Sequence, residues 1–214
     1  MTRMLKWLMV VPLLSSGSLL AQPVELKYAH QPAPAYPRSL YEQRVSGLVL
    51  VEFRGHSGGA ITNVSIIDSS HHSFAKSVQR AVPGWRLKPW KVGPETPESI
   101  TVRQELYFTH SSERQEPHRW IRRHVRVLSC NAFNKALKAF RANSPDHDLR
   151  DMHLITYTLR VLGRAATRLN MTDDQRAELG DDFVRAIPDV IQRCEAQPQL
   201  RYKEALPDKV RELI

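Results

Sequence analysis

The side chains able to do chemistry in this chain of 214 residues are nine histidines, two cysteines, and serines and tryptophans set among them. A metal centre needs ligands that converge at fixed spacing. His71 and His72 are adjacent and expected to point apart, His147 and His153 are six apart and off one helical face, and neither cysteine sits near the other. No metal site and no cofactor are expected. Ser57, Ser69 and Ser70 stand near His56 and His71, but no G-x-S-x-G elbow and no fixed acid accompany them, so no catalytic residue and no enzyme are expected. Trp85 and Trp90 flank Arg86 and Lys88. They could form a carbohydrate or peptide platform, or simply cover a core or a sheet.

The cysteines depend on the compartment, which the opening residues "MTRMLKWLMVVPLLSSGSLLAQ" address. Arg3 and Lys6 form a basic start, Leu5 to Leu14 an apolar run interrupted by Pro12, and Ser15 to Ala21 a small-residue tail. This is the pattern of a secretory signal peptide over residues 1–21, with cleavage after Ala21. The alternative is a retained anchor, but the apolar run falls short of the roughly 20 residues a bilayer span needs. Export favours a disulfide between Cys130 and Cys194 over two buried thiols.

Composition is that of an ordinary globular protein, with 42% hydrophobic and 25% charged residues, and excludes a disordered or fibrous chain. The net charge of +9 is unevenly placed. Residues 111–141 hold eight Lys/Arg against two Glu, whereas residues 142–214 hold eleven against thirteen acids. A basic stripe can contact nucleic acid or an anionic surface, and export argues against nucleic acid. Arg119, Arg122, Arg123 and Arg126 are the candidate contact to an anionic lipid or cell-wall surface; the alternative is a solvated helix face.

The elements that must position these residues change character near residue 110. Before it, alternating strand patterns are punctuated by Gly and Pro; after it come long 3.6-period segments with almost no glycine. Leu48 to Phe53 read as a covered strand, "GHSGGA" as a tight turn using Gly58-Gly59, and Ile61 to Ile67 as a second, antiparallel strand. Ser70 or Ser73 is expected to cap a helix with Phe74, Val78, Ala81 and Val82 on one face, stopped by Pro83-Gly84. "SITVRQELYFTH" supplies a third strand. The order β-β-α-β predicts an α+β fold with an antiparallel three-stranded sheet, followed by an all-α domain. The expected parts are a short Pro-containing linker at 22–35, the sheet domain at 36–110, a linker at 111–118 and the helical domain at 119–214.

In the helical part, one helix is expected from about Arg119 to Ala142 with Val127, Cys130, Phe133, Leu137 and Phe140 on one side. Ser144-Pro145-Asp146 should cap a second helix carrying Leu154, Tyr157, Val161 and Leu162, with Leu169 near its end. "TDDQ", Thr172 to Gln175, is a capping box for a third helix, which Pro188 should kink or split. A last short helix is expected between Pro207 and Ile214.

The block Ala35 to Pro89 carries Tyr36-Pro37, Gly47, the Gly58-Gly59 turn, Asn63-Val64 with Ser69-Ser70, Phe74 and Val78, then Trp85-Arg86 with Pro89. This ordered set resembles the C-terminal domain of the TonB family of periplasmic energy transducers, over about 75 residues. "HQPAPAYP" is similar to the family's Gln-Pro segment, two residues longer here, and places an expected peptide contact at Gln31. The family's membrane helix and long proline-rich spacer are not matched: the roughly fifteen residues between Gln22 and Tyr36 would span about 45 Å even as polyproline II.

The resemblance implies a protein-binding role in transport, with no catalytic side chain required. One helix covers only one face of such a sheet, and an edge strand keeps unpaired backbone groups that can template an added strand. The expected site is Thr101, Val102, Arg103, Gln104, Glu105, Leu106 and Tyr107. The implied ligand is an extended peptide of an outer-membrane transporter or another envelope protein. Two alternatives stand beside it. The edge could be blunted by Arg103, Gln104 and Glu105, or the protein could be a soluble periplasmic scaffold or assembly factor whose helical domain carries the main interaction.

Overall fold

The computed structural model describes residues 26–94, 96–110 and 117–214, without the side chains of 117 and 118. The expected signal peptide and most of the expected linker at 111–118 therefore lie outside the described residues. No helix in the described part is long and apolar enough to cross a membrane.

The chain opens with β1 (Tyr28–His30) and one short helix α1 (Arg38–Glu42), led by Pro37. β2 (Gly47–His56) and β3 (Ile61–Ser69) form a hairpin. Gly59 at its turn has φ 90°, and a Cβ there would sit 2.4 Å from the Leu87 carbonyl oxygen, so no side chain is tolerated. α2 (His72–Ala81) follows, then a single 3₁₀ turn at Val82–Gly84, β4 (Arg86–Leu87) and β5 (Ser99–Phe108). The main sheet is antiparallel in the order β3-β2-β5, and β1 pairs with β4 beside it. The α+β prediction and its β-β-α-β core are observed.

The cap of α2 differs from expectation. His71 is the N-cap, its Nδ1 accepting from Ser73 N–H at 3.1 Å, while Ser70 Oγ accepts from Leu48 N–H at 3.0 Å and so ties the helix entry to β2. Residues 26–36 are not a free linker either. Leu26, Tyr28 and Tyr36 pack on the core beneath α2, and Trp85 Nε1 donates to Pro32 O at 2.9 Å.

The second half contains α3 (Pro117–Val127), α4 (Cys130–Asn143), α5 (His153–Arg168), α6 (Asp173–Ala196), α7 (Tyr202–Ala205) and α8 (Asp208–Leu213). The single helix expected over 119–142 is two. Ser129 caps α4 through Ala132 N–H, and the N–H groups of Cys130 and Asn131 bond Leu200 O and Pro198 O instead of an earlier turn. Val127, at the end of α3, is consequently exposed. The second helix starts at His153, not at Pro145, after a 3₁₀ turn capped by Asp148. Ser144 serves elsewhere, its Oγ donating to Ile67 O at 2.5 Å. Leu169 caps the C-terminus of α5 and is exposed.

Thr172 and Gln175 form the expected capping box, but α6 runs on across Pro188 without splitting. Pro188 is on the exposed side, where water can take the carbonyl that loses its donor. Cys130 and Cys194 are disulfide-bonded, closing α4 on α6. The short helix near the C-terminus is present as α8.

Two cores organise the molecule. Val49, Val51, Phe53, Phe74, Val78 and Trp85 fill the space between the sheet and α2. Leu48, Leu50 and Ile67 point to the opposite face and belong to the core of the helical half, with Trp120, Val125, Phe133 and Tyr157. The expectation that the sheet is covered on one face only is therefore corrected: the helical half covers the other.

Candidate functional site: the open edge of the sheet

β5 runs ten residues at the edge of the sheet, in unbroken antiparallel register with β2 from Gly47↔Phe108 to His56↔Ser99. Just beyond the strand, Ser57 N–H donates to Glu98 O at 2.8 Å in that same register. In an antiparallel ladder the directly bonded pairs alternate with unbonded ones, so the even-numbered residues of β5 bond to β2. Leu48 O agrees, since it accepts on the opposite side of β2, from Ser70 N–H at 3.0 Å. Val102, Gln104 and Leu106 thus commit their backbone to the sheet, and Thr101, Arg103, Glu105 and Tyr107 turn N–H and C=O outward. Among the described residues, no backbone–backbone hydrogen bond engages that outer side.

The side chains of the same strand divide by parity between the two faces. Arg103 Nε donates to Glu52 at 2.8 Å and Nη1 to Asp151 at 2.9 Å, in the turn before α5. The hydrogen bond to Glu52 is the main reason the guanidinium is held above its usual pKa, with Asp151 adding to it. Glu105 is ion-paired to Arg160 of α5 and accepts from the Tyr107 phenol at 2.5 Å. The Arg160 guanidinium lies 5.5 Å from the Tyr107 ring centre. Burial first, and then the bond to Glu105, pushes the Tyr107 phenol well above its usual pKa. The charges expected to blunt the edge are held against the helical half.

On the opposite face Gln104 Oε1 accepts from the Tyr28 phenol, itself raised by burial. Beside the C-terminal end of β5 lies a groove of about 490 Å³, lined among others by Gln31, Pro32, Pro34, Trp85, Leu106 and Phe108. Gln31 is exposed at this groove, next to the strand. The segment expected as a linker, with Gln31 as a contact, supplies the far wall through residues 31–34, together with Tyr36. Its signal is Tyr28 and the alternating prolines 32 and 34, whose partner Trp85 is distant in the chain.

The other candidate groups separate. Trp85 is fully buried and belongs to the core. Trp90 is half-buried and donates to Pro97 O at 2.9 Å, so the two do not form a platform. His71 and His72 do not point apart: their ring centres are 4.5 Å apart, because His71 turns back to cap α2 and His72 approaches Ser73 Oγ at 3.3 Å. Among the described residues no His/Cys/Asp/Glu group is arranged to hold a metal.

Residues 28–108 thus form a small α+β domain, a three-stranded antiparallel sheet with a helix on one face, an edge strand with one free side and a groove beside it. Residues 32–109 match the family model described as "Gram-negative bacterial TonB protein C-terminal". The match is confined to this segment and ends at Thr109, before the helical half. Among solved structures, the "Solution NMR structure of Pseudomonas aeruginosa TonB CTD" is similar, at 24% identity over 41% of this chain and 89% of that chain, with a TM-score of 0.36. No curated relative matches.

Proposed function

We propose that this protein is a periplasmic, TonB-like module that binds an extended peptide by strand addition along β5, in a transport-related role. The ligand is a segment of an outer-membrane transporter or of another envelope protein. The observation that carries the reading is the outer side of β5, where Thr101, Arg103, Glu105 and Tyr107 offer donors and acceptors that no described residue takes. An added strand would pair through these groups. Val102 and Leu106 face the sheet side on which the groove opens, which suits alternate side chains of the peptide, and Gln31 stands at its rim. Backbone pairing requires no catalytic group.

The parity of the ladder selects the test. Proline at Gln104 would remove a bond inside the sheet and damage the fold. Proline at Arg103 removes an outward N–H, the one setting in which a strand tolerates it. Arg103→Ala loses the same ion pairs while keeping the donor, so it isolates the backbone. With the fold checked by circular dichroism, affinity for a synthetic N-terminal peptide of an outer-membrane transporter should be at least about tenfold weaker for Arg103→Pro than for Arg103→Ala. Equal affinities would exclude augmentation at this strand.

A further inference from the structure

Arg119, Arg122, Arg123 and Arg126 fall at i, i+3, i+4 and i+7 along α3 and so form one stripe. Trp120, Ile121, Val125 and Leu128 take the buried side. Two like-charged pairs, four residues apart, result, an arrangement that opposes helix formation. α3 packs against α5, whose last turns carry Arg164 and Arg168. Arg122 is half-buried and donates through Nε to the main-chain oxygen of Ile214 at 3.1 Å. Burial above all, then Arg168 and Arg126, lowers its pKa, which brings these three guanidiniums into one field.

Elsewhere some arginines are paired with carboxylates and others, such as Arg44, Arg54, Arg80, Arg141 and Arg193, are in no ion pair among the described residues. Arg103, Arg150, Arg160, Arg176, Arg185 and Arg211 each hold a carboxylate. Among the described residues no Asp or Glu carboxylate is paired with Arg123, Arg126, Arg164 or Arg168, whereas Arg122 is held by the Ile214 oxygen. The helix dipole favours cations in a last turn, which accounts for Arg126 and Arg168 but not for Arg122 and Arg123. Val127, 63% exposed, and Leu169, 61% exposed, each directly follow an arginine of the cluster. They are the most exposed large hydrophobic side chains among the described residues.

We propose that the α3–α5 face docks on a bilayer rich in anionic phospholipid. Headgroup phosphates neutralise the unpaired guanidiniums, and Val127 and Leu169 enter the acyl boundary. A soluble polyanion would use the charges and leave the two apolar side chains idle, and a neutral membrane would do the reverse.

The test uses the chain from Gln22 onward, which keeps every described residue and removes the apolar Leu5–Leu14 run. Co-sedimentation should show binding to vesicles of phosphatidylglycerol with phosphatidylcholine, weakened by added salt, and little binding to phosphatidylcholine alone. The variant Arg123→Gln/Arg126→Gln/Arg168→Gln, at exposed positions, should bind at least about tenfold more weakly. Lys135→Gln/Lys138→Gln/Arg141→Gln, an equal loss of charge on the exposed side of α4, should bind as the parent does. Val127→Ser/Leu169→Ser should lose vesicle binding while keeping any affinity for soluble polyphosphate. If the arginine variant is less stable to heat, the corresponding triple Arg→Lys variant must restore binding. Equal losses from the two charge triples would reduce the effect to net charge. Unchanged vesicle binding by the Val127/Leu169 variant, or equal binding to both vesicle types, would overturn the docking proposal.

Discussion

The two faces of the three-stranded sheet are built on different principles. Toward α2 the contact is almost wholly apolar: Val49, Val51, Phe53, Phe74, Val78 and Trp85 interlock, and Gly47 lies so close to the Phe74 ring that a Cβ would sit 2.5 Å from it. Toward the helical half, Leu48, Leu50 and Ile67 supply the apolar part, but charges surround them. Asp68 accepts from His153 N–H at 2.5 Å and lies 2.7 Å from its Nδ1. Arg103 bridges Glu52 and Asp151, and Arg160 reaches Glu105. Apolar burial supplies attraction without direction. Ion pairs with fixed partners add little attraction where exposed, but they set the register in which the second half sits. The first face belongs to the TonB-type segment; the second is where the chain departs from that segment and fixes an addition to it. The edge strand lies between them, with its odd residues on the charged face and its even residues on the apolar one.

The largest expected effect concerns the half that carries the only described covalent staple. Removing the Cys130–Cys194 bond, which links residues 64 apart, should lower stability by about 4 kcal/mol in the chain-entropy model. Urea unfolding of Cys130→Ala/Cys194→Ala against the oxidised protein measures this. The denatured, unreduced protein should show no titratable thiol, and two would contradict the bond. Leu48→Ala on the charged face should cost about 3 kcal/mol and Val51→Ala on the apolar face about 2 kcal/mol. Both residues are fully buried. Because Trp85 reports on one core and Trp120 on the other, the two faces can be followed separately by fluorescence of single-tryptophan variants. Coincident transitions support a shared second face; Leu48→Ala displacing the Trp85 transition alone would break the comparison.

Much of the apolar face was legible in sequence, because strand alternation, the Gly58-Gly59 turn and the i, i+4 pair Phe74 and Val78 are local signals. Within the helical half, the Thr172–Gln175 box was equally local. What was hidden depended on distant partners. The break between α3 and α4 rests on Pro198 O, Leu200 O and a pairing of Ser129 with Arg201, and no period of 3.6 reveals them. Ser144 looks like a helix cap beside Pro145, yet its hydroxyl bonds Ile67 O across the two halves. The candidate site was legible as a strand and not as an edge. Which residues face outward follows from one hydrogen bond between Ser57 and Glu98, and the wall of the groove from Trp85 reaching Pro32.

The smallest effect expected is in the pH dependence of the charged face, at His124. Its ring lies 5.7 Å from that of Tyr157, which in turn meets His153 and Trp120. Burial, and secondarily His153, lowers the His124 pKa below the ordinary 6.5. The two histidines are not equivalent, since Asp68 gives His153 a carboxylate and His124 meets none among the described residues. The sign follows from proton counting. Above about pH 6.5 His124 is neutral in both folded and unfolded chains and contributes no slope. As pH falls below that value the unfolded chain takes up a proton that the folded site resists, so stability declines until the folded pKa is passed. Thermal unfolding from about pH 7.5 to about pH 5.5 should therefore show a falling midpoint, above the range where most carboxylates titrate. His124→Gln should flatten that fall by less than either core substitution costs. An unaltered slope in His124→Gln would rule out His124 as its source, and with it the reading that burial without a partner is what distinguishes His124 on this face.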